Sequence, residues 1–176
     1  MLDHLPADNA AAIVVAMIVV FILIRSAVDW NRHPYTQISP VNRLQDNVEQ
    51  VKLLFDYTKF HITVYSTLAT LLVGISASSL AGHLALHKQW LLAAFTAIVA
   101  AGLAAGVVAA TMPSCTAILD FWNLRTGPYD VRILTIRSWT YVEHTSFWIA
   151  VACVILAFLT GKTAPQSPEV TMTIKG

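Results

Sequence analysis

Four stretches of this chain contain no Asp, Glu, Lys or Arg: Asn9 to Ile24, Phe60 to His87, Gln89 to Leu119 and His144 to Gly161. A helix rises about 1.5 Å per residue, so roughly 20 apolar residues cross the ~30 Å hydrocarbon layer of a bilayer. Charge is costly in that layer, which makes uncharged runs of this length the mark of membrane spans. The first and last runs are short and need support at their ends. Arg25 extends the first by snorkelling, Trp30 anchors it, and Lys162 closes the last. The first run reads as an uncleaved span and not a secretory leader, because no basic region precedes it and Asp3 and Asp8 do.

Composition points the same way. Of 176 residues, 56% are hydrophobic and 12% charged, whereas a soluble domain carries about 25% charged residues. A net charge of +1 with no clustered basic footprint argues against nucleic acid as a partner. The expected architecture is all-α: a polytopic membrane protein whose four-transmembrane-helix bundle occupies residues 1–162. Its spans lie at about 9–28, 60–87, 90–112 and 144–161, with a disordered tail over 163–176 that holds Pro165 and Pro168. Cys115 and Cys153 sit in unlike contexts and read as free thiols.

With four spans, the first and third connections share one side of the membrane. That side holds Arg25, Arg32, Arg43, Lys52, Lys59, Arg125, Arg132 and Arg137, against Lys88, Lys162 and Lys175 on the other. The positive-inside rule makes the first side cytoplasmic and turns both termini outward. Within the first connection Ser39 suits a cap and Pro40 a first turn. Val41, Leu44, Val48, Val51 and Leu54 then recur at three- and four-residue intervals, which predicts a cytoplasmic amphipathic helix over about 40–58. Such a helix packs beneath the bundle, lies on the membrane or meets a partner.

The two cytoplasmic connections resemble each other. Asp29, Trp30-Asn31, Arg32 and Pro34-Tyr35 are matched in order by Asp120, Trp122-Asn123, Arg125 and Pro128-Tyr129. Tyr57, His61 and Tyr65 are likewise matched by Tyr141, His144 and Trp148. This suggests two parallel helical-hairpin repeats. Enrichment of aromatic and basic residues at any membrane interface accounts for the match equally well. Trp30, Arg32, Tyr35, Trp122, Arg125 and Tyr129 are the candidate loop contacts for a partner.

No span carries a charge at its middle, which weighs against ion-coupled transport. Span two bears a small, polar row: Ser66, Thr70, Gly74, Ser78 and Gly82. Span three answers with Ala97, Ala101 and Ala105, flanked by Gly102 and Gly106. Small residues let membrane helices approach closely, so helix packing is the first reading and pore lining in an oligomer the second. His61 and His144 start parallel spans at one boundary, as paired axial ligands of a b-type haem would. An interfacial hydrogen bond is the commoner role for such a histidine. His83 and His87, one turn apart on the opposite side, lack the Glu of an HExxH zinc motif and read as polar helix ends. No nucleophile elbow, phosphate loop or carboxylate pair appears.

These residues predict a small, non-enzymatic inner-membrane protein acting through helix packing, as an oligomer or as a subunit or effector of a larger assembly. No cofactor is expected under that reading. The alternatives are a haem b electron carrier using His61 and His144, and an oligomeric pore lined by span two.

Overall fold

In a computed structural model of the protein, residues 9–30, 45–84, 86–111, 122, 124–127 and 133–161 are described, and helix accounts for 88% of them. The order is α1 (Ala10–Trp30), α2 (Gln45–Ala77), a short α3 (Leu80–His83), α4 (Lys88–Thr111), β1 (Arg125–Thr126), β2 (Leu134–Thr135) and α5 (Ile136–Leu159). Four helices are long and apolar enough to cross a membrane: Ala10–Trp30, Lys52–Ala77, Lys88–Thr111 and Ile136–Leu159. That is the number the charge-free runs predict.

Three boundaries differ from the expected ones. The first concerns the amphipathic helix over 40–58, which is not separate from span two: from Gln45 the chain runs on as one helix of 33 residues, about 50 Å long. No Gly or Pro falls between Gln45 and Gly74 to interrupt the ladder. The part before Gln45 lies outside the described residues. The second is the end of that helix, which comes at Ala77 and not at residue 87. There the Ser78 hydroxyl donates to the Ile75 carbonyl at 3.0 Å and accepts from Leu80 N at 3.2 Å. Serine bonds of this kind compete with the helix, and α3 starts afresh.

The third is the start of α5 at Ile136, two turns before residue 144. Thr135 caps it, its hydroxyl accepting from Ser138 N at 3.2 Å, a contact typically worth about 1 kcal/mol. Arg137 and Glu143 therefore belong to the helix. The tail over 163–176 and Cys115 lie outside the described residues.

α4 packs against α1, α2 and α5. Its Ala93, Ala97, Ala101 and Ala105 are fully buried, and such small side chains bring helix axes close enough for dense van der Waals contact. Facing them are Ala150, Cys153 and Ala157 of α5, Tyr65 and Leu72 of α2, and Ala10, Val14 and Ile18 of α1. Cys153 is a free thiol. α1 also packs against α5, while the main partner of α2 is α4. The first two helices thus do not pair along their length as α4 and α5 do, so the two hairpins suggested by the sequence pack differently.

A second apolar cluster closes one end, with Ala104, Val108, Leu124, Leu134, Ile136, Trp139 and Val142 buried. Leu54 and Phe55 from the first turns of α2 pack against it. It contains a small element that the all-α expectation lacks. β1 and β2 pair antiparallel, Arg125 opposite Thr135 and Thr126 opposite Leu134. Ile136 N donates to the Leu124 carbonyl at 3.0 Å, and the Trp139 indole donates to the Thr126 carbonyl at 2.9 Å. These bonds fix where α5 begins, and so where its polar residues lie. At the far end His87 N donates to the Ala157 carbonyl at 3.0 Å, tying the connection before α4 to the last turns of α5.

Candidate functional site

The densest polar chemistry lies where α2 meets α5. His61 faces Glu143, and Tyr65 faces Phe147 four residues further along each helix, so the two helices run parallel. His61 and Tyr65, one turn apart, share a face of α2. Both bond the same carboxylate oxygen: His61 Nδ1 donates to Glu143 Oε1 at 2.6 Å and the Tyr65 hydroxyl donates to it at 3.1 Å. Glu143 is only 3% exposed and His61 17%. A carboxylate so far from water is sustained by such bonds, since an unpaired buried charge is strongly destabilising.

His144 lies beside this pair. Its ring centroid is 5.9 Å from that of His61, in an edge-on arrangement. His144 Nδ1 donates to the Thr140 carbonyl at 2.8 Å, one turn back on its own helix. The structure therefore brings His61 and His144 together, with Glu143, the residue before His144 on α5, as a third group. One atom from each of the three, a ring nitrogen or a carboxylate oxygen, lies within 4.8 Å of the others. Tyr57 stacks obliquely on His61 with centroids 4.2 Å apart, and Phe60 is 6.2 Å away. These ring contacts restrict the rotation of the His61 imidazole.

A second polar cluster joins α1 to the start of α5. Asp29 Oδ2 accepts from Thr135 N at 2.8 Å and from the Thr135 hydroxyl at 3.0 Å, while Oδ1 accepts from the Ser138 hydroxyl at 3.0 Å. Ser138 Oγ in turn accepts from Arg25 Nε at 3.1 Å and Arg25 Nη2 at 2.8 Å. The Arg25 guanidinium lies 4.5 Å from the Tyr141 ring centre. Asp29 thus places negative charge at the positive end of the α5 dipole, a favourable arrangement. Arg25 was expected to snorkel; instead its head is held by Ser138.

The remaining predicted residues are placed as follows. The Arg125 guanidinium lies 5.1 Å from the Trp30 ring centre, so two of the loop residues meet, and Trp122 packs against the end cluster. Arg32, Tyr35 and Tyr129 lie outside the described residues. Ala97, Ala101 and Ala105 are buried between helices, and a methyl group on Gly102 would sit 3.6 Å from Tyr65 Cβ. Ser66, Thr70, Gly74, Ser78 and Gly82 are exposed on the single chain. No atom lies within 4 Å of a methyl group built on Gly74, Gly82 or Gly106. The Ser66 and Thr70 hydroxyls donate to the carbonyls of Ile62 and Ser66 at 2.8 and 2.9 Å. His83 is exposed and His87 half-buried, remote from His61.

Glu143, Thr135 and Ser138 are polar residues that the sequence does not single out. Glu143 was set outside the last span because the charge-free run begins one residue later. The cap signature Thr135 with Ser138, read as a helix start, would have placed it inside. Asp29 stands in the pattern shared by the two connections, but its bonding role has no local signal, since its partners are more than a hundred positions away. No protein-family model, curated protein or solved structure matches the chain.

Proposed function

We propose that this is a multi-pass protein of the inner membrane that works without catalysing a reaction, as an oligomer or as a subunit or effector of a membrane assembly. The observation that carries this reading is the outward position of the small, polar row on α2. Half of the apolar window of α4 is buried inside the chain, against 6% of that of α2. Exposed apolar residues alone would simply face lipid. Ser66, Thr70 and Gly74 present little surface to acyl chains and allow close approach by another helix.

The same residues favour association over conduction. The Ser66 and Thr70 hydroxyls already bond their own helix backbone, which makes them tolerable in hydrocarbon or at a dry helix interface. In this reading the Arg25 and Glu143 end is cytoplasmic and both termini are outside, which the charge asymmetry of the connections supports. Blue-native electrophoresis and native mass spectrometry after mild solubilisation test the proposal. The expected species is heavier than the 19.2 kDa chain, and Gly74→Leu shifts it toward monomer. A strictly monomeric protein with nothing co-purifying refutes the reading. Orientation is tested separately: a C-terminal alkaline phosphatase fusion should be active, and an inactive one reverses the assignment.

A further inference from the structure

We propose that His61, Glu143 and His144 form a binding site for one divalent transition-metal ion of borderline softness, with Zn²⁺ as the reference ion, where α2 meets α5. This goes beyond the assembly reading and is independent of it, because metal content and particle mass are separate measurements. Three observations carry the inference.

The first is proximity. A ring nitrogen of each histidine and a carboxylate oxygen of Glu143 lie within 4.8 Å of one another. Ligands of a tetrahedral zinc, each about 2.0–2.2 Å from the ion, are roughly 3.3 Å apart. The set therefore closes by side-chain movement on the order of an ångström, with the helices left where they are.

The second is the direction of the nitrogens. A backbone carbonyl only accepts, so the bond from His144 to Thr140 fixes the proton on Nδ1 and leaves the lone pair on Nε2. His61 turns Nδ1 to Glu143 Oε1, 2.6 Å away across one shared proton, and an ion bound by both groups displaces that proton. Imidazoles that bind metals characteristically hold their second ring nitrogen on a carbonyl or carboxylate outside the ligand set, as His144 does on Thr140. Tyr65 adds a further bond to Glu143 Oε1, and neither recorded bond uses Oε2.

The third is the chemistry and access of the donor set. Two imidazoles and one carboxylate suit zinc and other borderline divalent ions, and three protein ligands leave a coordination position open. Glu143 is buried but His144 is exposed, so an ion has an approach from the side of α5. His83 and His87 at the opposite end belong to no group of three potential ligands among the described residues.

The test uses the full-length protein in mild detergent, stripped with chelator and dialysed against Zn²⁺ or Co²⁺ alone, with metal counted by plasma mass spectrometry. One ion per chain is expected, and Co²⁺ should give visible d–d absorption. His144→Ala, at an exposed position that spares the fold, should weaken binding by at least ~100-fold, and Tyr65→Phe by roughly 10-fold, as for loss of a ligand and of a supporting hydrogen bond. The double variant His83→Ala, His87→Ala should bind as the parent does. Failure to retain stoichiometric Zn²⁺ or Co²⁺ overturns the proposal and leaves an ion pair only. So does undiminished binding by His144→Ala, or binding lost only with His83 and His87. A Soret band in protein from haem-supplied cells, absent in His144→Ala, would assign the two histidines to haem and equally overturn it.

Discussion

Asp29 and Glu143 are both carboxylates withdrawn from water, at 2% and 3% exposure, yet their surroundings differ in kind. Asp29 uses both oxygens, accepting three bonds from Thr135 and Ser138, with the Arg25 guanidinium one hydrogen bond further out. Glu143 has two donors, both on Oε1, and a second imidazole close by. A carboxylate whose lone pairs are taken up by fixed backbone and side-chain donors acts as a clasp. One with spare acceptor capacity beside nitrogen ligands retains the ability to bind.

The largest expected effect is therefore at Asp29. Asp29→Ala removes the acceptor for Thr135 N and for two hydroxyls, and should lower stability by about 3 kcal/mol, since bonds to charged groups are worth roughly 1.5–3 kcal/mol each and orphaned buried donors are penalised. Thermal unfolding in detergent measures it. Asp29→Asn keeps one carbonyl oxygen and should lie between the variant and the parent.

Glu143→Gln should cost less, about 1.5 kcal/mol, because the amide keeps an acceptor for Tyr65 and loses mainly the charge-assisted part of the His61 bond. If it unfolds the protein as readily as Asp29→Ala does, the distinction between clasp and binding group is lost. Tyr65→Phe sharpens the contrast further: one hydroxyl bond to an oxygen that still has His61 should be worth about 0.5–1 kcal/mol in the same melt. Smallest of all is Gly74→Ala, remote from both carboxylates. Among the described residues no other helix comes within 4 Å of the added methyl group, and monomer stability should rise by about 0.4 kcal/mol, from the smaller chain entropy that alanine loses on folding.

Sequence patterning located the four long helices because span length and absence of charge are properties of contiguous residues. It misplaced the start of α5 for the same reason. The charge-free run starts only at His144, yet Glu143 is withdrawn into the interior by partners on α2 that no local window contains. The pairing of His61 with His144 was legible from side and depth alone, since both start parallel spans. What they share was not legible, because Glu143 lies just outside the charge-free run that marks the last span. The break at Ser78 was missed too: hydropathy continues through it, and only the serine's bonds to its neighbours' backbone end the helix there.

The central position of α4 bears on the order in which the molecule can be completed. α1 and α2 are made first, but α4 is a packing partner of both, and α5 comes last of all. Until residues 88–111 have been synthesised, neither early helix has that partner. The first half of the chain therefore lacks its main packing surface until the second half supplies it. A protein arranged in this way matures in one late step, and translation arrested between α3 and α4 would leave two helices with no core to join.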